Sequence, residues 1–548
     1  MKGEETSKVD YIGDDLERNS SGSEQEYKQN VQVEEFNHNA AVPAEAVGVE
    51  EKAARASADE AYELAGEVAM QFTPAEEQSV KRKLDKRIPA FCAAIYFLQF
   101  MDKTLLNYAS ITGLPIKGLD YNQVSAGFYY GFMVFVFPSA WLSQRFPWGV
   151  TKYLGINVIL WGITLALSAI SPHFAPFFVL RILLGMFEST VTPILLSTIV
   201  AFYRKEEQAT RICAFYSMNG LTQVIGPLIA YGTTYGGGVF GNSGAWRLLY
   251  IIFGVLTVIV GVIVTLFMPN NPMAATFLND REKRVALERV RANASGTAQR
   301  HFKWSQVKEA VFELRIWLVL AFVILTSIPN GGLSSFSSKI LKGFGYDTRQ
   351  TLLIGMPKGA FEFVTIILSA WLSDKYSERM LPIMIALIPT IVGAAILVGY
   401  GEESAALHHR GAVVFAVYLT ATFGASLSIV YAWNATNIGG SSKKTAAYAA
   451  NMFAFGIGNI AGSFVFRDED APQYIPGKTS TLVSLALAAI VAVWIRWLVS
   501  RANARKRQQV RELQQQNGWS DEEVQKQRDA WAFRDLTDGQ NPFFVYAS

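Results

Sequence analysis

Ser139-Ala140-Trp141-Leu142-Ser143-Gln144-Arg145-Phe146 returns far downstream as Ser369-Ala370-Trp371-Leu372-Ser373-Asp374-Lys375-Tyr376, five identities followed by three chemically related residues. Each copy closes an apolar block and opens a short polar turn, and in each case the block is the second of a series of six. The same segment at equivalent places in two series argues for internal duplication. Working outward, apolar blocks predict helices at about 88–110, 124–143, 151–170, 176–201, 208–233 and 246–268. A second set follows at about 314–337, 350–373, 380–400, 411–434, 445–466 and 479–500. Each is long enough to cross a hydrocarbon core of about 30 Å. The expected fold is therefore an all-α membrane protein of twelve transmembrane helices in two six-helix bundles.

The composition agrees. Of 548 residues, 51% are apolar and only 17% charged. The net charge of +3 conceals an acidic N-terminal segment and a basic remainder. The expected organisation is a disordered acidic cytosolic tail over 1–78, one bundle over 79–268, and a charged cytosolic loop over 269–312. A second bundle over 313–500 and a cytosolic C-terminal tail over 501–548 complete it. No apolar core lies near residue 1, so a cleaved secretory signal is not expected and insertion begins at the first spanning helix. Cys92 and Cys213 both sit in apolar segments, which offers neither a disulfide framework nor a cysteine metal site.

Orientation follows from the short connections. Lys81, Arg82, Lys83, Lys86 and Arg87 flank the first block, and Arg145, Lys152, Arg204, Lys205, Arg211, Lys375, Arg379, Lys443 and Lys444 fall in alternate connections. Basic residues accumulate on the cytosolic side. The other loops carry Gly236 to Gly238, Glu402 and Glu403, and the mixed run Arg467 to Asp470. Both termini are expected in the cytosol.

Charge inside a spanning helix costs about 2.5–3.5 kcal/mol on insertion scales, so such residues face the bundle interior and are paired or functional. Asp102 and Lys103 lie in the first helix, and Arg181 and Glu188 share a face of the fourth, seven residues apart. A carrier coupling an organic anion to protons needs a fixed cation for a carboxylate and carboxyls that exchange protons. Lys103 and Arg181 supply the first, Asp102 and Glu188 the second. The bland alternative is an ion-pair network that only locks helices together. Lys358 and Glu362, in an i, i+4 relation on the eighth helix, are as well explained by mutual neutralisation as by substrate contact.

Asn107, Asn330 and Asn434 join the candidate substrate contacts because an amide donates to a polar solute, and Asn219, Gln223, Asn437 and Asn451 could do the same in second rank, since single buried amides more often bridge helices. Pro329-Asn330-Gly331-Gly332 is expected to bend or break the seventh helix. Gly226-Pro227 in the fifth helix, with Asp374, Lys375 and Arg379 after the eighth, are the candidate gating residues. Other motifs fail. Gly477-Lys478-Thr479 has Pro472 where a phosphate loop needs its first glycine. His408-His409 lacks metal-ligand companions, and no nucleophile constellation appears, so neither an enzyme nor a cofactor is expected. The basic stretch 501–511 suits the flank of a last spanning helix better than a nucleic-acid patch.

Six plus six helices, a charged central loop and the echoed turn resemble the major facilitator superfamily, whose cytosolic signature is close to Leu372-Ser373-Asp374-Lys375-Tyr376 with Arg379. The first copy departs from it at Gln144. Phe100-Met101-Asp102-Lys103, the run Arg181 to Glu188, and Pro193 look like the anion:cation symporter family, in its fungal allantoate-permease branch. That branch carries a tail similar to Asp535-Leu536-Thr537-Asp538 with Asn541, Phe544 and Tyr546. The resemblance implies proton-coupled uptake of small carboxylates at the plasma membrane. Asp102 and Glu188 match the family's proton-handling acids, and Lys103 and Arg181 its substrate-side cations. Many wider relatives have Arg where Lys103 stands, which removes bidentate carboxylate recognition at that position. The expected partners are a small carboxylate, protons and the lipid bilayer, with the chain monomeric. The rival from another class is a nutrient receptor signalling through its cytosolic tails without transport.

Overall fold

The computed structural model describes residues 72–236, 244–294, 303–376, 378–400, 408–532 and 536–547. The acidic tail up to residue 71, Gly237, Gly238, Glu402, Glu403 and Asp535 lie outside them. The helices of the described residues belong to one compact unit, Leu64–Ser548.

The chain enters through α1 (Pro74–Ile111), which begins well before the expected 88. Thr73 explains this: its hydroxyl accepts from Glu76 N, while Glu76 Oε2 accepts from Thr73 N at 3.0 Å, and Pro74 opens the helix. The first half continues through α2 (Gly118–Arg145), α3 (Val150–Ser168), α4 (Phe174–Glu188), α5 (Val191–Phe202), α6 (Lys205–Tyr216), α7 (Met218–Thr233) and α8 (Ala245–Phe267). Two helices, α9 (Asp280–Ala294) and α10 (Trp304–Phe312), occupy the expected central loop. The second half comprises α11 (Leu314–Lys342), α12 (Thr348–Tyr376), α13 (Met380–Gly399), α14 (Arg410–Leu419), α15 (Gly424–Asn437), α16 (Ser441–Val465) and α17 (Ile475–Asn517), with α18 (Asp521–Ala532) beyond it. Among the described residues, ten spans are long and apolar enough to cross a membrane. The polar-rich α1 and α16 pack among them, giving the twelve-helix architecture.

Three spans are interrupted where the sequence predicts continuous helix. The fourth breaks at Ser189–Thr190, between α4 and α5. Pro193 has no N–H to return to Ser189, and the Ser189 hydroxyl bonds Met186 O at 2.8 Å. The fifth breaks at Ser217 and the tenth over 420–423, where Thr420 and Thr422 bond carbonyls three residues back at 2.7 and 3.0 Å. The seventh span does the reverse. Of the expected bend or break at Pro329 to Gly332, the break is absent: α11 runs through the segment, and its glycines allow close packing. A Cβ at Gly331 would stand 2.3 Å from Asn459 O, and one at Gly462 on α16 would stand 2.1 Å from Ile328 O.

Small residues bring other helices together in the same way, since lipid offers no hydrophobic drive for helix association. Gly155 and Gly162 of α3 interleave with Gly254 and Gly261 of α8, and a Cβ added at any of them would come within 2.8 Å of an atom on the facing helix. The opposite face of α8, with Val255, Ile259, Val262 and Leu266, is exposed, as a lipid-facing stripe must be.

The echoed segments fold alike. Ser139 and Ser143 are buried as are Ser369 and Ser373, while Trp141 and Trp371 are 56% and 53% exposed. Arg145 lies 4.4 Å from the Trp141 ring centroid and Lys375 lies 4.6 Å from that of Trp371.

At the end of the bundle that carries the chain's tails, ion pairs tie the peripheral elements to their own half. In the first half Lys83 meets Glu282 at 2.7 Å, Arg211 meets Asp85 at 2.8 Å, and Arg289 on α9 meets Glu207 at 2.8 Å. In the second half the C-terminal segment is strapped across α11, α15, α16 and α17. Asp538 is fully buried between Lys443 (2.6 Å) and Arg315 (2.8 Å) and accepts from the Tyr546 hydroxyl at 2.9 Å. Asn437 and Asn503 clamp the backbone of Ala547 and Tyr546 through paired hydrogen bonds.

Candidate functional site

The two halves enclose a cavity with about 170 Å³ for the centres of water-sized molecules, room for a small solute. Its far end, opposite the tails, is closed by bonds between the halves. Asn122 on α2 donates to the carbonyls of Ser463 (2.7 Å) and Phe466 (2.6 Å), and Tyr121 donates to Ser335 O at 2.6 Å. Ser125 stands 2.7 Å from the Ser335 hydroxyl and 3.0 Å from that of Ser463. Asp468 accepts from Gly118 N at 2.6 Å and from Lys339 at 2.8 Å, and the Lys339 ammonium lies 3.7 Å from the centroid of the Tyr121 ring.

Of the sequence-predicted residues, Lys103, Asn107, Glu188, Asn330 and Pro227 line the cavity. Lys103 projects from α1 into an aromatic shelf, with its ammonium 5.6 Å from the Phe100 and Phe455 centroids and 5.9 Å from that of Tyr129. Among the described residues it has no hydrogen bond or ion pair. Glu188, 1% exposed, ends α4 at the helix break, and neither carboxylate oxygen has a hydrogen-bond partner among the described residues. The two amides in the wall are engaged. Asn107 donates to Ser337 Oγ at 3.0 Å and accepts from Ser338 N at 2.9 Å across the halves, while Asn330 donates to Asn459 Oδ1 at 2.8 Å.

Arg181 and Asp102 are not in the cavity wall. They lie inside the first half, where Arg181 Nη1 stands 3.5 Å from Asp102 Oδ1 and Nη2 donates to the Tyr250 hydroxyl at 3.0 Å. Trp161 Nε1 donates to Asp102 Oδ2 at 3.0 Å. The shared face of Arg181 and Glu188 thus divides: the arginine pairs inward with Asp102 on α1 and Tyr250 on α8, and the glutamate lines the cavity. Arg181, proposed from sequence as a substrate cation, does not line the cavity in this conformation. Asn434 is also buried away from the cavity.

On the opposite wall α12 contributes Lys358 and Glu362. Of the two readings the sequence left open, mutual neutralisation or substrate contact, the first is not seen: no Lys358–Glu362 ion pair within 4 Å is present among the described residues. Glu362 accepts instead from Gln223 on α7, across the halves, and an added Cβ at Gly424 would come 2.6 Å from its Oε1. Gly226, next to cavity-lining Pro227, lets α7 approach α1, since a Cβ there would meet Tyr108 at 2.9 Å and Met101 at 3.0 Å. Arg379 donates to Ser373 Oγ at 2.7 Å, and Lys375 is exposed beside Trp371. The Asp374 side chain lies outside the described residues.

Sequence reasoning did not single out Tyr129, Phe455, Trp161 or Tyr250. Their only signal was an aromatic ring with or without a polar tip inside an apolar block, which occurs throughout such a chain.

A model of the Major Facilitator Superfamily matches residues 92–463. The allantoate permease of Saccharomyces cerevisiae is 32% identical, over 89% of this chain and 90% of its own length. The thiamine pathway transporter of the same yeast is 30% identical over 89% and 90%. Among solved structures, the xylose transporter XylE from E. coli in a partially occluded inward open conformation superposes with a TM-score of 0.54 at 13% identity. That match covers 73% of this chain and 96% of the transporter.

Proposed function

We propose that this chain, which belongs to the Major Facilitator Superfamily, is a secondary active transporter of the plasma membrane that takes up a small organic anion together with protons. The observation that carries the reading is the cavity between the halves, where, among the described residues, Lys103 is unpaired and Glu188 has no hydrogen-bond partner. An ammonium with no carboxylate in contact is costly in a membrane-depth cavity, and an organic carboxylate lowers that cost. The Glu188 carboxyl, buried in the cavity wall with no cation in ion-pair contact among the described residues, is suited to load and release a proton as the halves move. The Asp102–Arg181 pair holds α1 against α4, so that Lys103, the neighbour of Asp102, points into the cavity.

Transport then proceeds by rocking the two halves about the cavity. With the basic flanks and the tails in the cytosol, the hydrogen-bonded far end is the external gate, closed here. Anion and proton enter when Tyr121, Asn122 and Ser125 release Ser335, Ser463 and Phe466, and the loaded carrier recloses that seal. The similarity to an allantoate permease supports a ureido acid or related carboxylate as the solute.

The test is uptake of radiolabelled allantoate and a panel of small carboxylates into cells expressing the chain, at an acidic and a neutral external pH, with and without a protonophore. Saturable uptake that collapses with the proton gradient and is lost in Lys103→Met supports the proposal. No uptake across the panel despite surface expression refutes it and favours the receptor reading.

A further inference from the structure

The charge arrangement of the cavity is two-sided. The first half presents Lys103 and Glu188, the second Lys358 and Glu362. Lys358 has no ion pair within 4 Å and no hydrogen bond among the described residues, and its i+4 neighbour Glu362 accepts from Gln223 across the halves. Two ammonium groups therefore face one space, one from each half, neither with a carboxylate in ion-pair contact among the described residues. Each is costly at membrane depth, and bringing the walls together raises their mutual repulsion. An anion lying against only one wall removes half of this cost. A solute with an acceptor at each end removes it on both sides and ties the halves across the cavity, which is what occlusion requires.

We propose that Lys358 is the second substrate cation, and that the preferred solute carries a carboxylate at one end and a second acceptor, a carboxylate or an amide-type carbonyl, at the other. This rests on the anion-carrier reading above and adds to it which wall reads which end. Lys103, in its shelf of Phe100, Tyr129 and Phe455, takes the carboxylate beside an apolar stem. Lys358 takes the far acceptor and so sets specificity. The alternative assignment, Lys358 as a structural partner of Glu362, predicts that its loss weakens all solutes equally.

The experiment measures uptake of succinate, succinamate and butyrate, which share a four-carbon chain and differ in the far end, by wild type, Lys358→Met, Lys358→Arg and Lys103→Met, at matched surface expression. The wild type is expected to take up succinate and succinamate with kcat/KM at least tenfold above butyrate. Lys358→Met should abolish that preference while leaving butyrate within about threefold, Lys358→Arg should restore it, and Lys103→Met should lose all three. Equal uptake of the three by wild type, or an unchanged preference in Lys358→Met, overturns the two-ended assignment while leaving the carrier intact. No uptake of any of them, or of the wider panel, overturns the carrier reading and this inference with it.

Discussion

Replacing Asp538 by Asn tests whether the C-terminal strap holds the second half together. Its carboxylate is fully buried and accepts from Lys443 at 2.6 Å, Arg315 at 2.8 Å, the Tyr546 hydroxyl at 2.9 Å and Gly439 N at 3.2 Å. Removing one member of a buried ion pair costs about 3–5 kcal/mol because the other charge is left uncompensated. Here Lys443 keeps Glu309 at 2.8 Å and Glu313 at 2.6 Å, and Arg315 keeps Glu313, so the low end applies, about 3 kcal/mol. For a cooperative unit of about 200 residues this corresponds to a fall in Tm of about 6–12 °C. Burial alone would raise this carboxyl, but Lys443, Arg315 and Tyr546 hold it below the usual carboxylate range. A depressed carboxylate contributes stability above its unfolded value, about 3.9, and loses it as pH falls through the folded value. The gap between wild type and Asp538→Asn should therefore be constant from about pH 5 to 8 and shrink below about pH 4. The assay is thermal unfolding of purified protein in detergent across that range. A Tm within about 1–2 °C of wild type at neutral pH, or a gap that grows on acidification, would refute the strap as a stabilising element.

The far-end seal is open to cross-linking: Ser125→Cys with Ser335→Cys, whose native hydroxyls stand 2.7 Å apart, should form a disulfide on oxidation, stop transport, and regain it on reduction. Failure to cross-link under oxidant would contradict the seal. Gly185→Ala should impair folding sharply, since its Cβ would fall 1.8 Å from Phe128 O, a backbone atom that cannot step aside; surface expression near that of wild type would overturn this. Tyr250→Phe removes the acceptor of a buried guanidinium donor and should cost about 1–3 kcal/mol in thermal unfolding, with unaltered Tm as the disproof.

Twelve apolar blocks, their grouping into two sets and the echoed turn were legible because each is a local property: length against bilayer thickness, and identity between two short segments. The intramembrane charges were legible for the same reason, since an ionisable residue in an apolar block stands out wherever it later points. Direction was not. Arg181 and Glu188 lie on one helical face, yet the break after Glu188 and the positions of Asp102 and Tyr250 send one inward and the other to the cavity. Lys358 and Glu362 have the spacing of an ion pair, but Gln223, from another span, donates to the carboxylate and no close pair forms. Pro329 to Gly332 carry a helix-breaking signature that tertiary packing overrides, because a neighbouring helix needs the missing side chains to approach. Sequence alone thus determined that this chain spans a membrane twelve times and which charges sit at depth. Only the packing of twelve helices decided which charges are neutralised and which face the solute, because pairing depends on distances between residues far apart in the chain.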